Sequence, residues 1–282
     1  MKQCKRAPPS FATCIMQGGL GNQLFQIMAT VAYALKHNRR FALPAHRGGL
    51  GSDYLSKRPA YWDTLFSKLV PYIKPMETTV FLNESGAHTY SNFPAYNCDI
   101  CLHGFFQHLG YFNKYSDRII DLIGIRDFQK EIRENHTIKN TISLHFRIGD
   151  YKASLDGFHN ILSTNHYIES LKTVITKTNK DDWSVNYCCE DQDIDKVNEM
   201  VKDLQSKFPK LKFERIDNKL ADWQQMLYMS CCQHNIIANS TFSWWSAYFN
   251  DNSNKIVCYP SKWYGVVEDV SGMFDGLGWI RI

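Results

Sequence analysis

From Thr141 onward the chain alternates short apolar runs with stretches whose apolar residues recur at helical spacing. No other feature constrains its fold as tightly. A first strand starts at Thr141, with Ile142, Leu144 and Phe146 alternating with Ser143, His145 and Arg147, the period of a pleated chain. Tyr167, Ile168, Leu171, Val174 and Ile175 then mark one helix face. Further strands are expected over 183–189, 211–216, 235–238 and 255–259, the last stopped by Pro260. Helices are expected from 190 to about 208, around Trp223, Met226, Leu227, Ser230 and Cys231, and over 244–249. Strands alternating with helices of this length imply a parallel, doubly wound α/β sheet.

The N-terminal part opens in the same way. A buried strand is expected over 12–16, then the loop QGGLGNQ at 17–23, then a helix striped by Leu24, Ile27, Met28, Val31 and Leu35, and then a strand over 41–43 closed by Pro44. The middle is less regular. Tyr61, Trp62, Leu65, Phe66 and Leu69 suggest one amphipathic helix, 71–82 has room for short strands, and 115–123 reads as helix. The polar stretch 126–139 marks a boundary. This gives an N-terminal domain over 1–135, with about 264–282 packing back on it, and a C-terminal domain over 136–263.

Composition narrows the function. Of 282 residues, 44% are hydrophobic, so a packed core is well supplied, and a formal charge of +4 is too small to argue for nucleic acid. The longest apolar stretch, 27–35, is too short to span a bilayer, and MKQCKRAPPS has no apolar signal core. The expectation is a cytoplasmic protein without signal peptide or transmembrane anchor, with peripheral membrane association left open. Nine cysteines lack the density of a disulfide scaffold. Cys98 and Cys101 form a C-x-x-C with no second pair to complete a zinc site.

Three places carry chemistry. At the end of the strand from Thr141, Arg147 presents a guanidinium beside His145, where open α/β sheets bind ligands, and a guanidinium can grip a phosphate through two parallel bonds. The competing reading is an Arg147–Asp150 turn salt bridge beside a buried histidine. At 239–243, NSTFS sets Ser240, Thr241 and Ser243 at a helix start, where hydroxyls either cap the helix or donate to a phosphate. At 18–23, glycines between strand and helix let a phosphate approach the helix N-terminus, or simply make a tight turn. Asn22 could reach a phosphate or sugar oxygen, or cap the helix. The D-x-D of Asp191 and Asp193 could hold a metal, but acids at a helix start are favoured by the dipole alone. Glu190 and Asp191 could instead bond a ribose or a base, or act as a base.

Taken together, GGLGNQLFQ at 18–26, HFRIGDY at 145–151 and NSTFSWWSA at 239–247, with GFFQ at 104–107 and Tyr111-Phe112, resemble the α-1,2-fucosyltransferases of glycosyltransferase family 11. The resemblance covers about 14–263. It implies a GT-B fold, two Rossmann-like domains facing across a cleft. It also implies GDP-fucose as donor, inverting transfer to a glycan hydroxyl, α-1,2 to galactose, and no metal or other cofactor. By similarity Arg147 would hold the β-phosphate, His145 would line the nucleotide site, Ser240, Thr241, Phe242 and Ser243 would bind the diphosphate, and Gly19, Gly21, Asn22 and Gln23 would close on it. Asp150 would orient Arg147 or Tyr151. Catalytic candidates are Arg147, Asn22 and Asp150, with Glu190 as another possible base. The family's second arginine is replaced by Ile148. Its acid before L-M-S is replaced by Gln225, leaving Asp222 one turn earlier as a candidate reader of the base. Alternatives are a transferase for another GDP-deoxysugar, a metal-dependent transferase using Asp191 and Asp193, or a non-catalytic binder of nucleotide sugar or glycan.

Overall fold

A computed structural model describes residues 10–45, 59–75, 80–86, 88–153, 159–266 and 269–282. The chain separates into two compact units, Met1–Gly124 with Ser271–Asp275, and Ile125–Val270 with Gly276–Ile282.

In the first unit, strand β1 (Phe11–Cys14) runs into helix α1 (Leu20–Lys36) and then strand β2 (Arg40–Phe41). Strands β3 (Val80–Asn83) and β4 (Ile100–His103) complete an all-parallel sheet of order β2-β1-β4-β3. The α1 stripe read from the sequence is buried from Leu24 to Val31, with Leu24, Ile27 and Met28 fully covered and Leu35 half-buried. Helix α2 (Ser116–Ile123) packs its isoleucines inward. The expected amphipathic helix around 61–69 is absent. Its Leu65, Phe66 and Leu69 are fully buried, but on consecutive short turns bonded three residues apart, Thr64 to Tyr61 and Leu69 to Phe66. Tyr61 adopts φ +52, and Pro71 stands inside the 3-10 turn Ser67–Tyr72 with no N–H to extend a helix.

The second unit begins with helix α3 (Ile125–Asn135), in the polar stretch expected to be a boundary. Its Gln129 is buried and donates to Ser230 Oγ at 2.8 Å and to the Phe249 carbonyl at 2.9 Å, so the helix is fastened by a polar group that a hydrophobic pattern does not register. Strands β5 (Thr141–His145), β6 (Ser184–Cys188), β7 (Lys212–Arg215), β8 (His234–Ile236), β9 (Val257–Tyr259) and β10 (Ile280–Arg281) form a parallel sheet of order β10-β9-β8-β5-β6-β7. Helices α4 (Thr164–Thr178), α5 (Ile194–Lys207), α6 (Asp222–Ser230) and α7 (Thr241–Phe249) connect them. Ile142, Leu144, Leu171, Val185 and Val197 form its dry centre. From β5 the chain steps outward through β6 and β7, then returns to the other side of β5 as β8. The strand order therefore reverses between β5 and β8, and it is at the carboxyl ends beside such a reversal that open α/β sheets bind ligands.

Candidate functional site

The carboxyl ends of β5, β6 and β8 gather most of the residues singled out in the second unit. His145 is the last residue of β5 and only 6% exposed. Burial, with the Arg147 charge adding to it, pushes its pKa down to about 3, so the ring is neutral at physiological pH and offers hydrogen bonding rather than charge. Its Nδ1 is buried and has no hydrogen-bond partner among the described residues. The ring lies 5.4 Å from that of Phe242, which joins the β5 and β8 ends directly.

Arg147 follows two residues later. Its Nη1 donates to Glu190 Oε1, from the end of β6, and its guanidinium sits 5.0 Å over the Tyr151 ring. Tyr151 in turn donates from its hydroxyl to the Asn239 carbonyl at 2.8 Å and stacks on His159 at 4.4 Å, nearly parallel. Arg147 is thus held between an acid and a ring. Glu190 is an acid partner of Arg147 that sequence spacing did not suggest, and the Arg147–Asp150 salt bridge considered from that spacing lies outside the described residues. Asp150 lies on the turn Gly149–Ala153, and its side chain falls outside the described residues. Gly149 has φ +26, and a Cβ there would come within 2.8 Å of the Glu190 carboxylate, so the close approach of turn and acid requires glycine.

The D-x-D acids diverge. Asp193 is 2% exposed, accepting from Gly149 N at 2.6 Å and from Lys152 Nζ at 2.6 Å. Asp191 is exposed and pairs with Arg215, which holds its carboxyl below the usual range. The two acids serve separate cations, and the buried one anchors the turn after Arg147. Spacing alone could not separate that role from metal binding.

On the β8 side, Ser240 caps α7 by accepting from Phe242 N at 3.3 Å. Ser243 is fully buried and donates to the Ala238 and Ser240 carbonyls, each at 3.3 Å. Capping therefore accounts for Ser240, and backbone bonding for Ser243. Thr241 and Phe242 are half-buried in the first turn of the helix. Asn239 donates to Asn160 and Trp263 carbonyls. Gln225, at the place of the family's acid, donates to the Leu220 carbonyl at 2.8 Å and accepts from Cys188 Sγ at 3.0 Å, so both ends of its amide are used inside the unit. Asp222 opens α6 and accepts from Trp223 N. Its charge and that of Glu190 reach Cys188, whose thiol is pushed up to about 12, chiefly by burial.

The remaining candidates lie in the first unit. Gly19 is the N-cap of α1 and carries no capping side chain, and the first turn holds no acid, so the helix's own first turn sets no negative charge against the positive end of the dipole. Gly18 has φ +78, and a Cβ there would strike Asn22 Nδ2 at 2.5 Å. Four amides brace this loop. Gln23 donates to the Gly18 and Pro59 carbonyls. Gln26 accepts from Gln17 N and donates to the Gly104 carbonyl. Gln107 donates to Asn22 Oδ1 at 3.0 Å. The sequence motif GFFQ is explained by that last bond, which Gly21 and Asn22 alone did not suggest. Among the described residues no group of three or more His, Cys, Asp or Glu side chains is arranged to hold a metal, and no helix is long and apolar enough to cross a membrane.

The family profile described as Glycosyl transferase family 11 matches residues 77–267. The O-antigen biosynthesis glycosyltransferase WbnK of Escherichia coli is 29% identical over 186 residues, which cover 58% of this chain and 55% of that protein. The chain thus spans about half the length of that relative. The alpha-1,2-colitosyltransferase of Escherichia coli is 22% identical over 276 residues, 90% of this chain and 93% of that one. Among solved structures, a GDP complex of Arabidopsis thaliana FUT1 superposes with a TM-score of 0.49 at 12% identity, covering 91% of this chain and 71% of the other. The NodZ alpha-1,6-fucosyltransferase soaked with GDP-fucose gives 0.47 at 14% identity, covering 85% and 92%.

Proposed function

The chain belongs to glycosyl transferase family 11, and from that premise we propose that it transfers fucose from GDP-fucose to a glycan hydroxyl with inversion, α-1,2 to galactose. The observation that carries the reading is Arg147 at the switch between β5 and β8, beside a neutral His145 and the capped start of α7. Inverting transfer leaves a nucleoside diphosphate carrying new negative charge. A guanidinium, helix N-termini and neutral donors stabilise such charge where it develops.

Each residue then has a task. Arg147 grips the diphosphate, and Glu190 and Tyr151 keep the guanidinium aimed before the donor arrives. His145 donates a hydrogen bond without adding charge. Ser240, Thr241, Phe242 and Ser243 form the helix start that faces the phosphates. In the first unit, Gly19, Gly21, Asn22 and Gln23 carry backbone and amide groups of the kind that suit a phosphate or sugar oxygen. Gln107 occupies the Asn22 carbonyl oxygen, so Asn22 acts through its NH₂ as a donor and not as a base. Asp222, at the start of α6, is the acid we assign to reading the purine, and the Gln225 amide is bonded at both ends. The proposal needs no metal. The divergence of Asp191 and Asp193 supports that part of it.

A second reading is a related deoxysugar in place of fucose. It is favoured by the colitosyltransferase relative, which matches 93% of its own length. Incubating the protein with GDP-fucose or GDP-colitose and a panel of β-galactosides, in EDTA, and weighing the products separates these readings and tests metal independence. The expected result is one deoxyhexose added, undiminished by EDTA. Arg147→Ala should lower transfer by about 10²-fold or more, on the scale of losing one preorganised donor to developing charge, while the far-ultraviolet circular dichroism is unchanged. Retained turnover in that variant would remove Arg147 from the mechanism.

A further inference from the structure

Tyr111 and Phe112, singled out in the sequence, have no task at the phosphate site. They line a cavity of about 140 Å³ that lies wholly within the first unit. A cavity of that size holds one six-membered ring. Of its lining, Ala29, Leu102 and Phe112 belong to the buried core. Helix α1 contributes Tyr33 and Lys36. At 1.5 Å per residue, Tyr33 stands about 20 Å along the helix from Leu20, so the cavity is separate from the glycine loop. Aromatic rings dominate the rest. Phe93 stacks on Tyr111 at 6.2 Å, and Tyr90 meets Tyr111 edge-on at 5.0 Å. The Tyr111 hydroxyl donates to the Thr89 carbonyl at 2.9 Å and accepts from Ser91 N at 3.0 Å. The Tyr33 hydroxyl donates to the Pro94 carbonyl at 2.8 Å. These two hydroxyls are spent on backbone, so what the rings offer a ligand is their apolar faces. Tyr90 is 39% exposed. The backbone of Gly110 lies outside the left-handed region, so what this glycine supplies is room: a Cβ there would come within 2.9 Å of the Tyr90 ring. Two lysines, Lys36 and Lys114, share the lining, and no acid does. Among the described residues neither forms an ion pair. Lys36 Nζ donates to Asn92 Oδ1 at 2.6 Å, and Lys114 lies 5.6 Å over the Tyr115 ring.

We propose that this cavity is an accessory glycan site, taking one pyranose ring that carries an anionic group, a carboxylate or a phosphate. The ring lies against Tyr90 and Tyr111, whose faces suit the C–H side of a sugar. The anion meets the ammonium groups of Lys36 and Lys114, each of which has N–H donors to spare. A neutral sugar leaves both cations without a counter-charge, so the charged ring is preferred. The site is built from the first unit alone and does not depend on the transferase reading. It tethers a charged glycan to the protein whatever sugar the second unit handles.

The test is a calorimetric titration of the full chain with methyl β-glucuronide, glucose 6-phosphate, methyl β-glucoside and acetate. GDP is present throughout to occupy the phosphate site proposed for the second unit. One or both anionic sugars should bind in the millimolar range, about threefold or more tighter than the neutral glucoside or the ringless acetate, on the scale of exposed charge pairs. Which of the two binds identifies the anion. Tyr90→Ala and Gly110→Ala should each weaken that binding by about threefold or more, whereas Tyr90→Phe, which keeps the ring, should bind like the wild type. Replacing Lys36 and Lys114 together by Met should remove the preference for the anionic sugars. Tyr90 and both lysines are exposed, so the melting temperature of their variants should match the wild type, and lost binding is then not lost folding. Equal binding of glucoside and anionic sugars overturns the proposal, and so does binding that survives Tyr90→Ala, which places the sugar elsewhere. Absence of sugar binding by the wild type overturns the site while leaving the transferase reading standing, because that reading is tested by product formation.

Discussion

At the scale of single residues, Asp193 does most to set how Arg147 is presented. Its two oxygens take the Gly149 amide and the Lys152 ammonium, each at 2.6 Å, from a turn that begins two residues after Arg147. Lys152 is half-exposed, so its charge contributes little; the buried bond to Gly149 matters more. Asp193→Ala should cost about 1–3 kcal/mol, the penalty for a buried amide left without an acceptor, read as a lower urea midpoint. Asp193→Asn, which keeps an acceptor for Gly149, should lose less. In both, GDP should stabilise the protein less than it does the wild type, because the turn that follows Arg147 is loosened. The sequence showed Arg147 at a strand end and D-x-D at another, and both readings were sound about position. It did not show that Glu190 meets Arg147 or that Asp193 meets Gly149, because those partners are separated by 43 and 44 residues. Such pairings become visible only when β5 and β6 lie side by side.

At the scale of elements, the central strands of the second unit are surrounded by histidines kept neutral. Besides His145 on β5, His166 on α4 bonds through Nε2 to the Ile237 carbonyl just beyond β8, and burial pushes its pKa down to about 4. Both groups hold fewer protons when folded than their unfolded value of about 6.5 allows. Stability is therefore full above pH 6.5 and is lost as pH falls from there toward 3 to 4, by up to about 1.4 kcal/mol per pH unit for each histidine. The melting temperature should fall through that window, and His166→Gln should make the slope shallower; an unchanged slope would place the acid sensitivity elsewhere. Most strands and helices of this unit were legible because apolar residues at strand spacing in β5 and β6 alternate with helices striped at helical spacing. The first unit was less so. Its β3 and β4 carry Asn83, Cys101 and His103, which weaken the apolar run, and its buried 61–69 stripe is spent on turns whose backbone the side-chain pattern does not reveal.

At the scale of the whole chain, the C-terminal residues matter more than their sequence suggested. Ser271–Asp275 belong to the first unit and Gly276–Ile282 to the second. The last seven residues hold β10, which pairs in parallel with β9, and Ile280 and Ile282 lie against the core of the second unit. Ser261 N donates to the Ile282 carbonyl, Ile282 N to the Tyr259 carbonyl, and Trp279 rests 5.6 Å from the buried Trp244 of α7. A two-residue strand with one glycine pair before it gives no periodicity to recognise, so this edge was invisible in the sequence. Trp244 is fully buried at the second turn of the helix whose start is capped by Ser240, and the tail's ring contact therefore supports the element that presents the proposed phosphate donors. Deleting 276–282 removes two half-buried isoleucines, a tryptophan contact and several backbone bonds, together on the order of 3 kcal/mol. For a unit of this size that corresponds to a melting temperature lower by about 10 °C. Stabilisation by GDP should weaken in the same variant although none of the deleted residues is a donor contact. A variant lacking 276–282 that melts and binds GDP like the full chain would show that β10 is an appendage to the sheet and that α7 holds its position without it.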